Sequence, residues 1–470
     1  MRREKADASG VVSFPLGTES QKKAQEQNLG CVAEGRLKVY DPTANNVKKF
    51  LELLSRRINR QIAASMVSCV HCGLCAESCY YALARPDDPT MTPVWKADQI
   101  RRIFKRHLDW TGRIIPWWVH ARTPVDDAEL NRLKNIVFGT CSACRRCTLN
   151  CPMGVDTASL IRFARGLLTE LGIVPEGIFN VSRDQWETGN QMAVTEEDYL
   201  ETLEWMKEEL TEQLNISGIE IPVDRPDCEV LYVINPREIK FDPRSIANAA
   251  KIFHFAGENW TLPKWGWDQT NFGLFSGDDN LGGYMAKNVY EAAVRLRAKR
   301  IVISECGHGY RSTRWEGYNW ANYDQRIPTE SVIQTLIRYI KEGRIKVDPS
   351  RNPEPVTFHD SCNIARSGGL IEEPRWILRR VSSEFREMYP NRTENYCCTG
   401  GGGLLSMSEY RPLRLEVGKI KADQLKATGA KLVCTMCHNC VDGLADLIKH
   451  YELKMKVVQV LDLTANALVV

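Results

Sequence analysis

The sequence predicts an α+β multidomain chain: a helical part that bears cysteines, then an α/β part that is internally duplicated. Three features point there. From about Asn46 to about residue 215, apolar residues recur at helical spacing. From about Glu229, short apolar runs alternate with helical patterns. Within that second region, similar segments return in the same order. On this reading the chain divides into an N-terminal arm (1–44), a helical domain (45–215), a first α/β half (216–349) and a second (350–470).

The elements follow in order. Val47, Phe50, Leu51, Leu54, Ile58 and Ile62 mark one helix that runs into the first cysteine cluster. Between the first two clusters lies an aromatic and basic stretch, with helical segments broken at Pro93 and Pro116. A helix spans about Ala158 to Leu171 and stops at Gly172. Another starts near Thr195, with Asp198 three residues on as in a capping box. Leu200, Leu203, Met206 and Leu210 form its apolar face, and the polar stretch to about Asp227 reads as a linker. Strands are expected at Val230 to Ile234, Arg300 to Ile303, Val356 to Phe358, Leu432 to Val433 and Val457 to Val460.

The duplication is read from three alignments. Ala298 to Cys306 parallels Ala430 to Cys437, Leu274 to Gly277 parallels Cys397 to Gly400, and Val233 to Pro236 parallels Phe358 to Ser361. Of the five cysteines in the second copy, the first keeps only Cys306. Arg237, Leu274, Phe275 and Ile303 stand at the other four positions.

Composition narrows the class. The 470 residues are 43% hydrophobic and 26% charged, as in an ordinary globular protein of two or three domains. A formal net charge of +3 gives no electrostatic case for a nucleic-acid partner. The outlier is cysteine, with 17 in total. An odd count grouped as C-x-x-C clusters points away from secreted disulfides and toward metal or redox use in a reducing compartment. The N-terminal residues lack the apolar core of a signal peptide, and no stretch approaches the roughly 20 apolar residues of a membrane helix. The expectation is a soluble, cytoplasmic chain that can still dock on a membrane partner.

Two motifs carry the strongest chemistry. Cys69, Cys72, Cys75 and Cys79 are spaced C-x2-C-x2-C-x3-C, as are Cys141, Cys144, Cys147 and Cys151, which Pro152 follows. Zinc sites usually pair two C-x2-C knuckles, whereas a triple plus a fourth cysteine suits a cubane [4Fe–4S] cluster. In two-cluster ferredoxins the fourth cysteine ligates the other cluster. The expected sets are therefore Cys69, Cys72, Cys75 and Cys151 for one cubane, and Cys141, Cys144, Cys147 and Cys79 for the other. The first motif has Tyr80 where the second has proline. The long helical insert between the motifs resembles the α-helical ferredoxin domain of succinate dehydrogenase iron–sulfur subunits and of heterodisulfide reductase.

The remaining clustered cysteines are Cys362, Cys397, Cys398, Cys434 and Cys437, in the pattern C-x34-CC-x35-C-x2-C. With the lead-in Phe358 to Arg366 and the glycines Gly400, Gly401, Gly402 and Gly403, they resemble the cysteine-rich CCG domain, the catalytic part of heterodisulfide reductases. The order of modules resembles the D-type subunit of heterodisulfide reductase, and in particular the DsrK, HmeD and TmcB type of iron–sulfur subunit in sulfur-metabolism membrane complexes. The resemblance covers about residues 45 to 470. It implies that these five cysteines hold one non-cubane [4Fe–4S] cluster, which makes two cubanes and one non-cubane in all. It further implies an oxidoreductase acting on sulfur groups, passing electrons between an integral membrane cytochrome b-like, quinone-reactive subunit and a disulfide or trisulfide. The implied substrate is a DsrC-type sulfur carrier protein, and further cytochrome or ferredoxin subunits are implied partners. Attachment would be peripheral, on the inner face of the cell membrane, through the partner subunit. Related modules imply an alternative: a pure electron-transfer subunit of a flavin-dependent glycolate, lactate or glycerol-3-phosphate dehydrogenase complex, its third site structural.

Cys31, Cys228, Cys306 and Cys440 remain. Buried structural thiols are common, but Cys306 is a candidate for substrate thiol chemistry if the two halves pack face to face. Cys440, three residues past Cys437, is a candidate spare ligand. His359 is a candidate proton donor, against a role hydrogen-bonding backbone at a strand end. The glycine run is not a phosphate loop, since no Gly-Lys-Ser/Thr follows. It is expected to let backbone approach the cluster and donate N–H bonds to sulfur. Ile114 to Val119 is expected to pack in the core, with docking against a membrane subunit as the alternative.

Overall fold

The computed structural model describes residues 37–214 and 218–469. Most of the expected N-terminal arm, Cys31 included, lies outside them.

The helical domain follows its caps. Asn45 accepts a bond from the Lys48 N–H and opens Asn46–Arg57, which buries Phe50 and Leu54. The single helix expected from the apolar period is in fact two. Asn59 is extended, accepts from the Ile62 N–H and starts Arg60–Val67, so a capping side chain interrupts the period. Pro93 opens a helix instead of breaking one: it occupies the first turn of Pro93–Leu108, where its missing N–H costs nothing. Pro116 does follow a helix end, that of Trp110–Ile114. Asp156 caps Thr157–Thr169, and Gly172 turns the chain at φ +70°. Glu176–Thr188 has no counterpart in the sequence reading, because polar Ser182 and Gln185 occupy two of its buried positions. Thr195 caps Glu196–Leu214, and the buried face is Tyr199, Leu203, Met206 and Leu210. Among the described residues, no helix is long and apolar enough to cross a membrane.

The α/β part is two parallel four-stranded sheets of identical order. The first comprises β1 (Val230–Val233), β2 (Trp260–Thr261), β3 (Arg300–Ile303) and β4 (Thr329–Ser331), in the order β2-β1-β3-β4. The second comprises β5 (Val356–Phe358), β6 (Phe385–Arg386), β7 (Leu432–Thr435) and β8 (Lys456–Gln459), in the order β6-β5-β7-β8. Register repeats as well: Val230 pairs with Arg300 as Val356 pairs with Leu432. β1, β3, β5 and β7 are almost wholly buried, which is why they read as continuous apolar runs. The edge strands β2, β4 and β6 have two or three residues each and carry too little pattern to be read from sequence.

The strand order reverses beside β1 in one sheet and beside β5 in the other. In open α/β sheets, ligands bind beyond the carboxyl ends of the strands at such points. Those ends face one another here. The Glu305 carboxylate, just past β3, accepts the Val460 N–H at 2.8 Å and the Gln459 amide at 2.9 Å. The His438 N–H, past β7, donates to the Glu305 carbonyl at 3.1 Å. Arg237 bonds Asp442 at 2.7 Å.

The helical domain is locked on by Arg165, one of the largest fully buried side chains. Its guanidinium donates to Val137 and Cys141 carbonyls in its own domain, to Phe275 in the first α/β half and to Gly402 in the second, at 2.7 to 2.9 Å. Arg165→Ala would leave four buried carbonyls without donors. Each unsatisfied group costs about 1–3 kcal/mol, so a loss of about 3 kcal/mol or more is expected, read as a lowered urea midpoint. An unchanged midpoint would show the contact to be dispensable.

Candidate iron–sulfur centres

Cys69, Cys72, Cys75 and Cys151 line one pocket, beside His71, Val94 and Arg101. The loop turns through His71 at φ +56° and Gly73 at φ +84°, which brings Cys75 onto the first turn of Leu74–Ser78. Burial pushes the Cys75 thiol up to about 11, with Cys69, Cys79 and Cys151 adding to the rise. Cys72 is exposed, and exposed Val70, Leu74 and Met153 surround it.

Cys79, Cys141, Cys144 and Cys147 line a second pocket, with Tyr80, Tyr81, Lys96 and Arg145. The structure thus carries the fourth cysteine of each motif to the other motif's pocket. Backbone amides point at sulfur in both: Ala143 N–H to Cys141 and Val155 N–H to Cys151, each at 3.4 Å. Tyr80, in place of proline, is buried and starts the helix Tyr80–Ala84. Lys96 donates to the Thr140 carbonyl at 2.7 Å and sits over the Tyr81 ring.

The third constellation touches the second pocket. The Cys397 thiol is in hydrogen-bond contact with Cys144, which raises Cys144 ahead of the effect of burial. Cys362, past β5, is pushed well up by burial, with Cys397 and Cys144 adding to the rise. Cys398 Sγ lies 3.2 Å from Cys440 Sγ. Cys437 contacts Cys440 and His308.

Of the five cysteines that the resemblance implies as one ligand set, Cys434 stands apart from the other four in this structure. It is on β7, buried in the strand core, and its charged neighbours are Glu305 and Asp462 rather than thiols. Ile303 holds the aligned place on β3 and is equally buried. A strand residue three before the helix N-cap faces the sheet core, whereas Cys437 and Cys440 flank the start of His438–His450 and face Cys398. Cys440, the candidate spare ligand, lies beside both Cys398 and Cys437.

His359 lies with Cys398 and Cys440: their ligand atoms fall within 4.8 Å of one another. Lys421 donates to the Asn395 carbonyl oxygen at 2.6 Å, which aims the Asn395 amide at His359 Nδ1, 3.2 Å away. Nδ1 therefore accepts, and the ring proton is on Nε2. Burial, then Lys421, holds His359 well below its usual range, so it is neutral. Its main chain also bonds β7, since the His359 N–H donates to the Cys434 carbonyl at 2.8 Å.

Cys306 is fully buried at the N-cap of Gly307–Arg311, the place Cys437 holds in the second half. Its Sγ is 3.4 Å from His308 Nδ1 and accepts the Gly309 N–H. Burial pushes it well up, and Cys437 adds to that. Beneath lies a buried pair, His438 and Glu238, 3.0 Å apart. Burial alone would raise Glu238, but the His438 imidazole and the Ser304 hydroxyl hold it below the usual carboxylate range. Cys228 is a buried thiol just before β1.

The glycine run has two uses. The Gly400 N–H bonds Cys398. Gly401 and Gly402 let the backbone cross the second pocket's loop: a Cβ on Gly402 would stand 2.8 Å from the Ser142 carbonyl oxygen. A cleft lined by Arg145, Arg162, Arg165 and Arg311 opens there beside Asn363, the neighbour of Cys362. Sequence reasoning missed Lys421, Asn395, Arg366 and His308. Lone polar residues inside apolar helices or loops give no periodic signal. Arg366, within the noted lead-in, bonds the Cys144 carbonyl at 3.1 Å and those of Thr393 and Asn395. Ile114 to Val119 is not core, contrary to expectation, since Ile114, Trp117 and Trp118 are exposed.

Comparison with known proteins agrees with this layout. The family model of the 4Fe-4S dicluster domain matches residues 65–155, and that of the cysteine-rich CCG domain matches residues 356–444. The chain joins a dicluster domain to a CCG domain. It is similar to the Hdr-like menaquinol oxidoreductase iron-sulfur subunit of Archaeoglobus profundus, 27% identical over 89% of this chain and 82% of the relative. It is also similar to the D-type subunit of the dihydromethanophenazine:CoB–CoM heterodisulfide reductase of Methanosarcina mazei, 24% identical over 85% of this chain and 93% of the relative. The EtfAB:quinone oxidoreductase of Syntrophomonas wolfei is 23% identical over 82% of this chain and 55% of the relative. The resemblance to the D-type subunit of heterodisulfide reductase and the predicted fold class are borne out.

The donor sets of both domains fit iron–sulfur clusters. Soft thiols ring each dicluster pocket, and in the CCG domain five converge where burial raises several of them as free thiols. The crossing at Gly402 is what joins the two domains closely. Gly402→Ala is expected to lower stability by about 2–4 kcal/mol, from strain at φ +66° plus the backbone clash. Gly369→Ala has similar φ, +77°, but open space, so about 1 kcal/mol is expected. Thermal unfolding of the two variants separates clash from strain.

Proposed function

We propose that the chain is the iron–sulfur oxidoreductase subunit of a quinol-linked complex, exchanging electrons between a quinone or cytochrome partner and a disulfide or trisulfide. The two dicluster pockets would each hold a cubane [4Fe–4S] cluster. Cys362, Cys397, Cys398, Cys437 and Cys440 would hold a non-cubane one, with Cys440 in the place the resemblance gives to Cys434. Bound there, the clusters supply one-electron steps and a site for S–S bond chemistry.

The observation that carries this reading is the contact between Cys144 and Cys397. It sets the second pocket directly against the CCG thiols, so three donor sets form one row. One end of the row is the exposed Cys72 within its apolar collar, where an electron partner can approach. The other end is the set of CCG thiols, beside which a small cleft opens next to Asn363; its arginines are already engaged, Arg145 with Asp156, Arg162 with Asp279 and Arg311 with Glu316. Reduction of the S–S bond takes two electrons and two protons and yields two thiols. His359, fixed with its proton on Nε2, and Cys306 face that chemistry. A DsrC-type sulfur carrier fits the protein-sized approach. Cytoplasmic placement with peripheral attachment follows from the same reading.

The relative named EtfAB:quinone oxidoreductase favours a second reading, an electron-wiring subunit whose third site is structural. Electron paramagnetic resonance separates the two. The protein is purified anaerobically and oxidised with a thiol substrate present. The first reading expects a substrate-dependent signal that Cys397→Ser abolishes, with about twelve irons per chain against about eight for two cubanes alone. A featureless oxidised spectrum with about eight irons would sink it.

The ligand choice has its own test. Cys440→Ser is expected to lower bound iron toward about eight per chain, and Cys434→Val to leave about twelve. The reverse pattern would restore the set the resemblance implies.

A further inference from the structure

The segment that the sequence assigned to the core is an exposed lobe. Trp110, Ile114, Trp117, Trp118 and Val125 are 71%, 65%, 73%, 76% and 82% exposed. The lobe is held firmly against the helix Pro93–Leu108. Gly112 is pressed to it so closely that a Cβ would stand 2.1 Å from the Lys105 carbonyl oxygen. Arg106 donates to the Gly112 carbonyl at 3.1 Å, Arg113 to the His107 carbonyl at 3.2 Å, and the Arg122 N–H to the Arg102 carbonyl at 3.2 Å. Folding alone gives no reason to hold three tryptophans rigidly in water.

The charges around the lobe say what would cover it. Between Arg102 and Val125 stand Arg102, Lys105, Arg106, Arg113 and Arg122, against a single acid, Asp109. The acids that follow are engaged, Asp126 capping the next helix, Asp127 with Tyr40 and Asn46, and Glu129 with Arg122, Arg132 and the Val125 N–H. Asp109 is occupied, accepting from the Thr111 N–H and hydroxyl. Arg106 and Arg113 spend their donors on main-chain carbonyls, which leaves their charge uncompensated. Among the described residues, only Arg122 of the five is within ion-pair distance of a carboxylate, that of Glu129. Tryptophan tips set among unpaired cations match the headgroup zone of an anionic bilayer, where indole rings sit at the interface and basic side chains meet lipid phosphate.

We propose that this lobe inserts into the surface of an anionic lipid bilayer, so that the chain touches the membrane directly as well as through any partner subunit. This stands apart from the sulfur chemistry proposed above. It has a geometric consequence for electron entry. Pro93 lines the second dicluster pocket and Val94 the first, and both sit at the opposite end of the helix that carries the lobe. Sixteen residues of helix span about 24 Å, which would hold the clusters at a set height above the lipid surface.

The test uses the full chain with its clusters. It is sedimented with vesicles of phosphatidylcholine alone, and with vesicles of phosphatidylcholine and phosphatidylglycerol in equal parts. Binding to the mixed vesicles only, weakened by high salt, is expected. The double variant Trp117→Ala/Trp118→Ala should bind at least about tenfold less, with iron content and circular dichroism unchanged because both side chains are exposed. A wild-type chain that stays in the supernatant with anionic vesicles would overturn the proposal. So would a double variant that binds them equally. If the variant instead loses only a co-purifying protein subunit, the lobe is a protein interface and the lipid assignment is wrong.

Discussion

One buried guanidinium holds the molecule in register. Arg165 reaches into all three parts of the chain, and every partner the structure gives it by hydrogen bond is a main-chain carbonyl. Carbonyls do not neutralise a cation, so the charge stays available. Burial pulls its pKa down to about 10, and the Cys141 thiolate pulls the other way. At neutral pH the group remains charged beside the second pocket. It thus fixes the distance between the dicluster and CCG domains while offsetting negative charge there. The tight crossing of Gly402 over Ser142 is possible only because that distance is fixed.

The same economy recurs around the CCG thiols. Arg366 also spends its donors on carbonyls, among them that of Cys144. Lys421 is buried against Asn395 and Gln424, with no carboxylate within ion-pair distance among the described residues, and burial lowers it to about 7 even though Cys398, Asp360 and Cys397 pull it upward. Cations held by neutral partners are expensive in an empty protein. Next to a cluster of thiolates they become counter-charges, and the cost of each is offset by the other.

How much of this could be read from sequence depends on what carried the signal. The paired motifs were legible because ligand spacing is local and strict. The duplication was legible because β1, β3, β5 and β7 are apolar runs in equivalent places. Edge strands of two or three residues carry too little pattern, and the helix Glu176–Thr188 hides its face behind Ser182 and Gln185. The different surroundings of Cys434 and Cys440 depend on where β7 ends and the next helix begins. A strand alternates faces and a helix N-cap reaches back toward the strand ends. Spacing counts residues and cannot see the change of period. Lys421 and Asn395 were invisible for another reason, since their role exists only once distant segments meet.

The first α/β half has lost four of five cysteines at the aligned positions yet keeps its sheet and its packing against the second. Its strand ends explain what it still does. Cys306 occupies the N-cap that Cys437 occupies opposite, with His308 between them. Glu305 ties down the start of the helix Val460–Ala467, and Glu238 grips His438, the residue next to Cys437. Each contact joins the first half to the loop that carries Cys437 and Cys440 or to its neighbour. Both acids are buried and bonded across the seam, where an unsatisfied carboxylate would be costly. Bonded in this way, they make the first half the mould of the second. The two walls present different chemistry: several thiols with the His359 imidazole on one, and a single thiol with the His308 imidazole on the other.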